Sequence, residues 1–177
     1  MQKRFFGYGS LVNRLTHDGL DIRRESVTGW RRTWAHAPGR PRSFLTVEPA
    51  PGVTIDGLSA EVPNGDWTAL DLREAAYVRA EAHPGTAIYH LPPGTASRPS
   101  RTYPVVLSYI DVVIEGFLAE YGEAGVDRFF QTTTGWDAPI LDDRASPRYA
   151  RHRNVGSAVR HLVDRHLAAR APHVFRD

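Results

Sequence analysis

The segment Phe5-Phe6-Gly7-Tyr8-Gly9-Ser10, close to the start of the 177-residue chain, is typical of a short strand that ends in a turn. Glycine permits positive φ and allows a ligand to approach the backbone closely. Successive backbone N–H groups after such a turn can form a concave site for a carboxylate or an oxyanion. An ordinary strand end above a packed aromatic ring explains the same residues equally well. No Gly-Lys-Ser/Thr follows, so the segment is not a phosphate-binding loop.

The rest of the chain predicts strands in its first half and helices in its second. The predicted strands are short, rich in β-branched or aromatic residues and bounded by glycine and proline; they cover residues 3–9, 26–35, 43–48, 55–62, 77–82 and 86–91. Ser108 is the expected cap of a helix whose apolar spacing runs from Ile110 to Tyr121. A shorter helix around Phe129 and a last one over about 154–170 follow. We therefore expect one α+β domain over residues 1–177, a small mixed β-barrel with flanking helices.

One short helix is predicted between the strands, over residues 67–76 with Asp66 as its cap. Helical spacing places Trp67, Leu70 and Glu74 on one inward stripe, which Tyr77 extends. Burial disfavours a charged carboxylate and raises its pKa, as a general acid/base near pH 7 requires. The alternative is that Glu74 lies at the rim and pairs with an arginine such as Arg73.

Composition excludes several classes of chemistry. The chain has no cysteine, so disulfides, thiol nucleophiles and thiolate metal sites are absent. It has no apolar run near the roughly 18–20 residues of a membrane helix. We therefore expect a cytoplasmic protein without a membrane partner; the sequence carries no signal for its oligomeric state. None of the eight histidines forms a His-Glu-x-x-His or His-x-x-x-His pattern, and we expect them to be scattered on the surface.

Charge is concentrated near the carboxyl end of the chain. Residues 144–177 contain eight arginines but only two acids, Asp164 and Asp177. Such a patch can bind nucleic acid or an acidic partner, but a solvated helix face explains it better, and we do not expect a nucleic-acid partner. For Asp142-Asp143-Arg144 we favour a turn whose acids cap the next segment and pair with arginine over a metal or substrate element.

Two ordered motifs carry a resemblance to a known family. Phe6-Gly7-Tyr8-Gly9-Ser10-Leu11 resembles the opening of the γ-glutamyl cyclotransferase superfamily. About sixty residues later, Leu70-Asp71-Leu72-Arg73-Glu74 resembles the LDxRE segment of its glutathione-specific, ChaC-type branch, and Gly29-Trp30-Arg31-Arg32-Thr33-Trp34 lies between them. The resemblance implies a γ-glutamyl cyclotransferase-like fold. It covers residues 4–82 well and the helical half loosely.

The resemblance also implies an activity and a set of site residues. Its members cyclise a small γ-glutamyl substrate to 5-oxoproline without metal or cofactor. The residues that match the family's site are a backbone cradle, a catalytic acid/base and two lining tyrosines: Tyr8, Gly9, Ser10 and Leu11; Glu74; Tyr77 and Tyr149. Three alternatives stay open, namely a glutathione-specific enzyme, a γ-glutamylamine-specific enzyme and a non-catalytic ligand-binding relative.

Overall fold

The computed structural model describes residues 3–171 and 173–176. Its main elements, in chain order, are β1 (Arg4–Gly7), β2 (Leu20–His36), β3 (Ser43–Glu61), α1 (Thr68–Arg73), β4 (Val78–His83), β5 (Thr86–His90), β6 (Val105–Val106), α2 (Leu107–Gln131), β7 (Thr133–Thr134), β8 (Ile140–Leu141), α3 (Ser157–Ala168) and β9 (Val174–Phe175). Three short 3-10 turns cover Ser10–Val12, Arg14–Thr16 and Pro63–Gly65. The expected division into strands first and helices later is confirmed.

Six strands form one mixed sheet in the order β4-β5-β1-β3-β2-β7. Strand β1 lies at its centre, antiparallel to β3 and parallel to β5. The prediction of a barrel is wrong, because the described sheet ends at β4 on one side and at β7 on the other and is not closed. The edge strand β7 is only two residues long and pairs with β2 alone, so it offers no ladder to β4. Strands β6, β8 and β9 form a small parallel sheet.

The long hairpin of β2 and β3 is more continuous than the sequence predicts. Strand β3 joins the predicted segments 43–48 and 55–62 through a stretch with two prolines. The register between the strands shifts at Thr28/Gly29, where residues 51–53 lie between the paired positions Ala50 and Thr54. Both Gly29 and Gly52 have positive φ there, a conformation that glycine permits. The hydrogen-bonded pairing of β2 and β3 therefore continues on either side of this irregularity.

Helix α2 forms the centre of the core against the sheet. Its side chains Ile110 and Phe117 are fully buried in one cluster with Phe6, Leu58 and Ile88 of the strands. The two predicted helices are one element, interrupted at Gly122, which has a positive φ of 65°. In the described residues no helix is both long and apolar enough to cross a membrane.

The ends of the helices differ in part from the predictions. Helix α1 is shorter than expected and stops at Arg73, although Asp66 does accept a 2.9 Å hydrogen bond from the N–H of Thr68. The prediction that Ser108 caps α2 is wrong. The helix starts at Leu107, and the Asp143 side chain accepts from the Ser108 N–H at 2.8 Å, so the cap is supplied from a distant turn. The last predicted helix is α3, which buries four apolar residues, Val159, Leu162, Val163 and Leu167, and Val155 just before it is buried too.

Candidate active site

A cavity of about 270 Å³ opens where β1 ends, between α1, the β2–β3 connection and α2. Its volume is close to the lower end of the range for small-molecule sites, roughly 300 Å³. All seven residues that the sequence singled out lie along its wall: Tyr8, Gly9, Ser10, Leu11, Glu74, Tyr77 and Tyr149. Residues more than 130 positions apart in the chain, such as Tyr8 and Tyr149, are thus brought to one site.

The turn after β1 is held by close packing. Gly9 has a negative φ of −128°, so the expected need for positive φ is not what selects glycine here. A Cβ at Gly9 would instead lie 2.8 Å from the Tyr109 hydroxyl oxygen and 3.3 Å from Leu45. The backbone of Ser10 also lies near the Tyr109 phenol and lowers its pKa, against the larger effect of burial. Tyr109 therefore lies directly against the cradle, and sequence reasoning missed it.

Arg32 fixes the turn from beneath. Its side chain is fully buried between the rings of Phe117 and Phe129, at 5.0 and 5.1 Å from their centroids. Its Nε donates a 2.8 Å hydrogen bond to the carbonyl oxygen of Tyr8, and its Nη2 donates to the carbonyl oxygen of Asp56. Burial lowers the pKa of the guanidinium to about 9. The signal in the sequence was an arginine at an inward position of β2, two residues before the buried Trp34.

Glu74 is the first residue after α1 and faces the cavity with a side chain that is 18% exposed. Burial raises its pKa above the ordinary value, while the charges of Arg73, Arg151 and Arg40 act in the opposite direction. The Nε of Arg73 lies 3.1 Å from Oε1 of Glu74. Both readings of the sequence are therefore met together, because the carboxyl turns inward and pairs with an arginine there.

Arg73 connects the carboxylate to the turn. Its side chain is only 8% exposed. Its Nη2 donates to the hydroxyl of Ser10 at 3.1 Å, and its Nη1 donates to the carbonyl oxygen of Thr16 at 2.6 Å. One guanidinium thus sets the spacing between Glu74 and the turn. The sequence suggested this arginine only as an ion-pair partner of Glu74 and predicted no contact with the turn.

Tyrosines form much of the cavity wall; Tyr8, Tyr109 and Tyr149 are buried and Tyr77 is half-buried. Burial raises the pKa of Tyr8, Tyr77 and Tyr109, and the nearby charge of Glu74 adds to each shift, so these phenols stay neutral at physiological pH. Tyr77 donates a 2.9 Å hydrogen bond to the carbonyl oxygen of Leu45. The rings of Tyr109 and Tyr149 meet edge to face, with centroids 5.0 Å apart. The wall therefore offers neutral hydroxyl groups and aromatic surface.

The Asp142-Asp143-Arg144 segment is a structural cross-link, in line with the favoured reading. Arg144 pairs with Asp111 and with Asp164, at 2.7 Å in each case. Asp143 accepts from the backbone N–H of Arg148 at 2.7 Å, in addition to capping α2. These contacts hold the following residues, including Tyr149, against the cavity.

The arginines near the carboxyl end and the histidines differ in part from what the sequence predicts. Arg144, Arg153, Arg165 and Arg176 form ion pairs with carboxylates, so this part of the arginine-rich segment is not a free basic patch; Asp177 lies outside the described residues. The expectation that all histidines lie on the surface is wrong for His36 and His166, which are buried. His166 stacks on Phe130 with centroids 4.3 Å apart. Over residues 3–171 and 173–176, no three His, Cys, Asp or Glu side chains cluster closely enough to hold a metal ion.

Known proteins resemble this chain in fold but not detectably in sequence. The sequence matches no protein-family model and no curated protein. The structure is similar to a solved γ-glutamyl cyclotransferase, with a TM-score of 0.53 and 12% identity over 92% of this chain and 98% of the other. It is similar to an uncharacterized protein from Homo sapiens, with a TM-score of 0.51, 12% identity and the same coverage. The chain therefore has the γ-glutamyl cyclotransferase-like fold that the motifs implied.

Proposed function

We propose that this protein is a γ-glutamyl cyclotransferase that converts the γ-glutamyl group of a small substrate to 5-oxoproline. One observation carries the proposal. Glu74 and the turn from Tyr8 to Leu11, which the sequence connects only through two distant motifs, line one cavity and are joined by Arg73. The similarity in fold to a γ-glutamyl cyclotransferase supports the same class of reaction.

The reaction is an intramolecular aminolysis. The α-amine of the γ-glutamyl group attacks its own γ-carbonyl carbon, a new C–N bond closes a five-membered ring, and the amide C–N bond to the leaving group breaks. The nucleophile is already tethered to the carbonyl, so the site mainly has to hold the folded conformer and move protons. A free α-amine, with a pKa of about 7.7–8.0, is largely protonated at neutral pH and must lose a proton before it attacks.

Glu74 is proposed to carry that proton. In its ionised form it accepts the proton from the α-amine, and in its protonated form it delivers the proton to the departing nitrogen, which would otherwise leave as a poor anion. Burial raises the pKa of this carboxyl, whereas Arg73, Arg151 and Arg40 favour its charged form. These opposing effects suit a group that must exist in both states during one turnover.

The turn is proposed to bind the glutamyl end. Backbone N–H groups from Gly9 to Leu11 would hold the α-carboxylate or the developing oxyanion. Arg32 stabilises this geometry from below by holding the Tyr8 carbonyl oxygen. Neutral phenols such as Tyr77 and Tyr109 can add hydrogen bonds without adding charge.

The direct test is product formation by the purified protein. It would be incubated with γ-glutamyl-alanine, glutathione and a γ-glutamyl amine, and 5-oxoproline would be measured by mass spectrometry. We expect 5-oxoproline from at least one substrate and none from the Glu74→Gln variant. Binding of these compounds without product from any of them would contradict the proposal and favour a non-catalytic ligand-binding relative.

A further inference from the structure

Guanidinium groups dominate the charge around the cavity. Five arginines lie along its wall: Arg40, Arg42, Arg73, Arg148 and Arg151. Among the described residues that line it, Glu74 is the only carboxylate. The wall therefore carries more guanidinium groups than the single Glu74 carboxylate can neutralise.

Three of these arginines are not neutralised by the part of the chain that the structure describes. Arg73 is committed to Glu74, Ser10 and Thr16. In contrast, no described carboxylate lies within 4.0 Å of Arg40, Arg42 or Arg151. The Nε of Arg42 is buried and has no hydrogen-bond partner among the described residues. A buried N–H without a partner costs free energy that a bound acceptor would recover.

The charge balance indicates what a matching substrate carries. The Glu74 carboxylate is balanced by Arg73, and the α-carboxylate of the γ-glutamyl group can balance one of the remaining three arginines. At least two positive charges are then left for the leaving group, because the proton of the α-amine adds a positive charge whether it lies on the amine or on Glu74. A cationic amine would be repelled, and an amino acid with a neutral side chain would supply only one of the two missing negative charges.

On the basis of the cyclotransferase function proposed above, we propose that the leaving group is an acidic amino acid, aspartate or glutamate. Its two carboxylates bind at the mouth formed by Arg40, Arg42 and Arg151. For γ-glutamyl-glutamate the products are 5-oxoproline and glutamate; the proton that leaves the α-amine ends on the nitrogen of the released amino acid. The reaction needs no further reactant, and a dipeptide of this size suits a cavity of about 270 Å³.

The test compares two substrates of nearly identical shape, γ-glutamyl-glutamate and γ-glutamyl-glutamine, which differ by one negative charge. We expect kcat/KM to be at least about tenfold higher for γ-glutamyl-glutamate. The extra carboxylate can form one more charge-assisted hydrogen bond, which is enough to account for a difference of this size. The preference should fall as salt is added, because screening weakens the attraction. Equal kcat/KM for the two substrates would overturn the proposal of an acidic leaving group but would not contradict the cyclotransferase function. No 5-oxoproline from these two substrates, from γ-glutamyl-alanine, from glutathione or from a γ-glutamyl amine would overturn the function and this proposal together.

Variants of the arginines test which side chains cause the preference for γ-glutamyl-glutamate. Arg151 is exposed and Arg40 is half-buried, so we expect the Arg40→Gln/Arg151→Gln protein to fold, which circular dichroism can verify. Its ratio of kcat/KM between the two substrates should approach one. The matched control is Arg165→Gln, which removes an arginine of α3 that does not line the cavity, and it should keep the wild-type ratio. A wild-type ratio in the double variant would overturn the assignment.

Discussion

The Nε of Arg73 lies 3.1 Å from Oε1 of Glu74, and the same guanidinium donates to the hydroxyl of Ser10. This ion pair joins the proposed proton carrier to the turn proposed to hold the substrate. The charge of Glu74 and the position of the turn are therefore coupled through one side chain.

Replacing Glu74 by glutamine should abolish turnover while the fold is kept. An amide has nearly the same shape but cannot accept and return the proton, and we expect kcat to fall by at least about 100-fold. The measurement is the rate of 5-oxoproline formation beside a circular dichroism spectrum. The exposed Glu123, replaced by glutamine in the same way, is the matched control and should keep full activity. Wild-type turnover in Glu74→Gln would remove Glu74 from the mechanism.

Removing the Arg73 charge should shift the pH dependence of catalysis. Because Arg73 lowers the pKa of Glu74, the Arg73→Gln variant should have a carboxyl with a still higher pKa. The acidic limb of the kcat/KM profile, where the base becomes protonated, should therefore move to higher pH. Arg79→Gln is a nearby control, since Arg79 pairs with Asp71 and lies outside the cavity wall. An acidic limb that stays in place would show that Glu74 is not the titrating base.

The Glu74→Gln protein should also be more stable than the wild type near neutral pH. The pKa of Glu74 is raised in the folded state, so above the ordinary value of this carboxyl the folded protein binds more protons than the unfolded chain. The free energy of unfolding of the wild type therefore falls as pH rises through this window. Glutamine has no such dependence. Melting temperatures measured from pH 4 to pH 8 should be higher for Glu74→Gln than for the wild type, and this difference should disappear at the acidic end. A difference that grows toward acidic pH would contradict a raised pKa for Glu74.

Adding a methyl group at Gly9 should impair the site, and a second substitution should partly restore it. The new Cβ would lie 2.8 Å from the Tyr109 hydroxyl oxygen. Tyr109 is buried against Trp34 and Tyr149, so it cannot easily move away. We expect KM to rise in Gly9→Ala and to recover partly in Gly9→Ala/Tyr109→Phe, relative to Tyr109→Phe alone. If the increase in KM of the double variant equals the combined increases of the two single variants, the contact between Gly9 and Tyr109 is not what impairs the site.

Replacing Arg32 by methionine should destabilise the whole fold. The carbonyl oxygens of Tyr8 and Asp56 would lose buried donors, at about 1–3 kcal/mol for each group. Urea denaturation would measure the change in the free energy of unfolding. Arg31→Met at the neighbouring, half-buried position is the control and should change stability by much less. Equal effects of the two substitutions would show that the hydrogen bonds of Arg32 are not what stabilises the turn.

The sequence predicted the elements well because local pattern decides them. Glycine and proline boundaries with β-branched or aromatic content located the main strands, and helical spacing from Ile110 located α2. The stripe through Trp67 and Leu70 also gave the correct side for Glu74, even though α1 ends one residue earlier. Barrel closure was wrong because it depends on whether distant edge strands pair, and a two-residue strand such as β7 has no readable pattern.

The supporting residues of the site could not be predicted in the same way. Tyr109, Arg32 and Arg73 act through contacts between segments far apart in the chain, and no spacing within one segment encodes such contacts. Arg40 and Arg42 lie in a connection that carries no periodic pattern. What the sequence did encode was the order of two motifs, which predicted that the turn and Glu74 lie together, and both line one cavity.

Three arginines of the cavity wall lie on connections, Arg40 and Arg42 between β2 and β3 and Arg151 between β8 and α3. Connections tolerate substitution better than the elements they join. Glu74 and the turn after β1 are instead held by buried contacts with Arg73 and Arg32. Under the proposed function, a few changes in these two loops would change which leaving group is preferred, while the residues proposed for proton transfer stay the same.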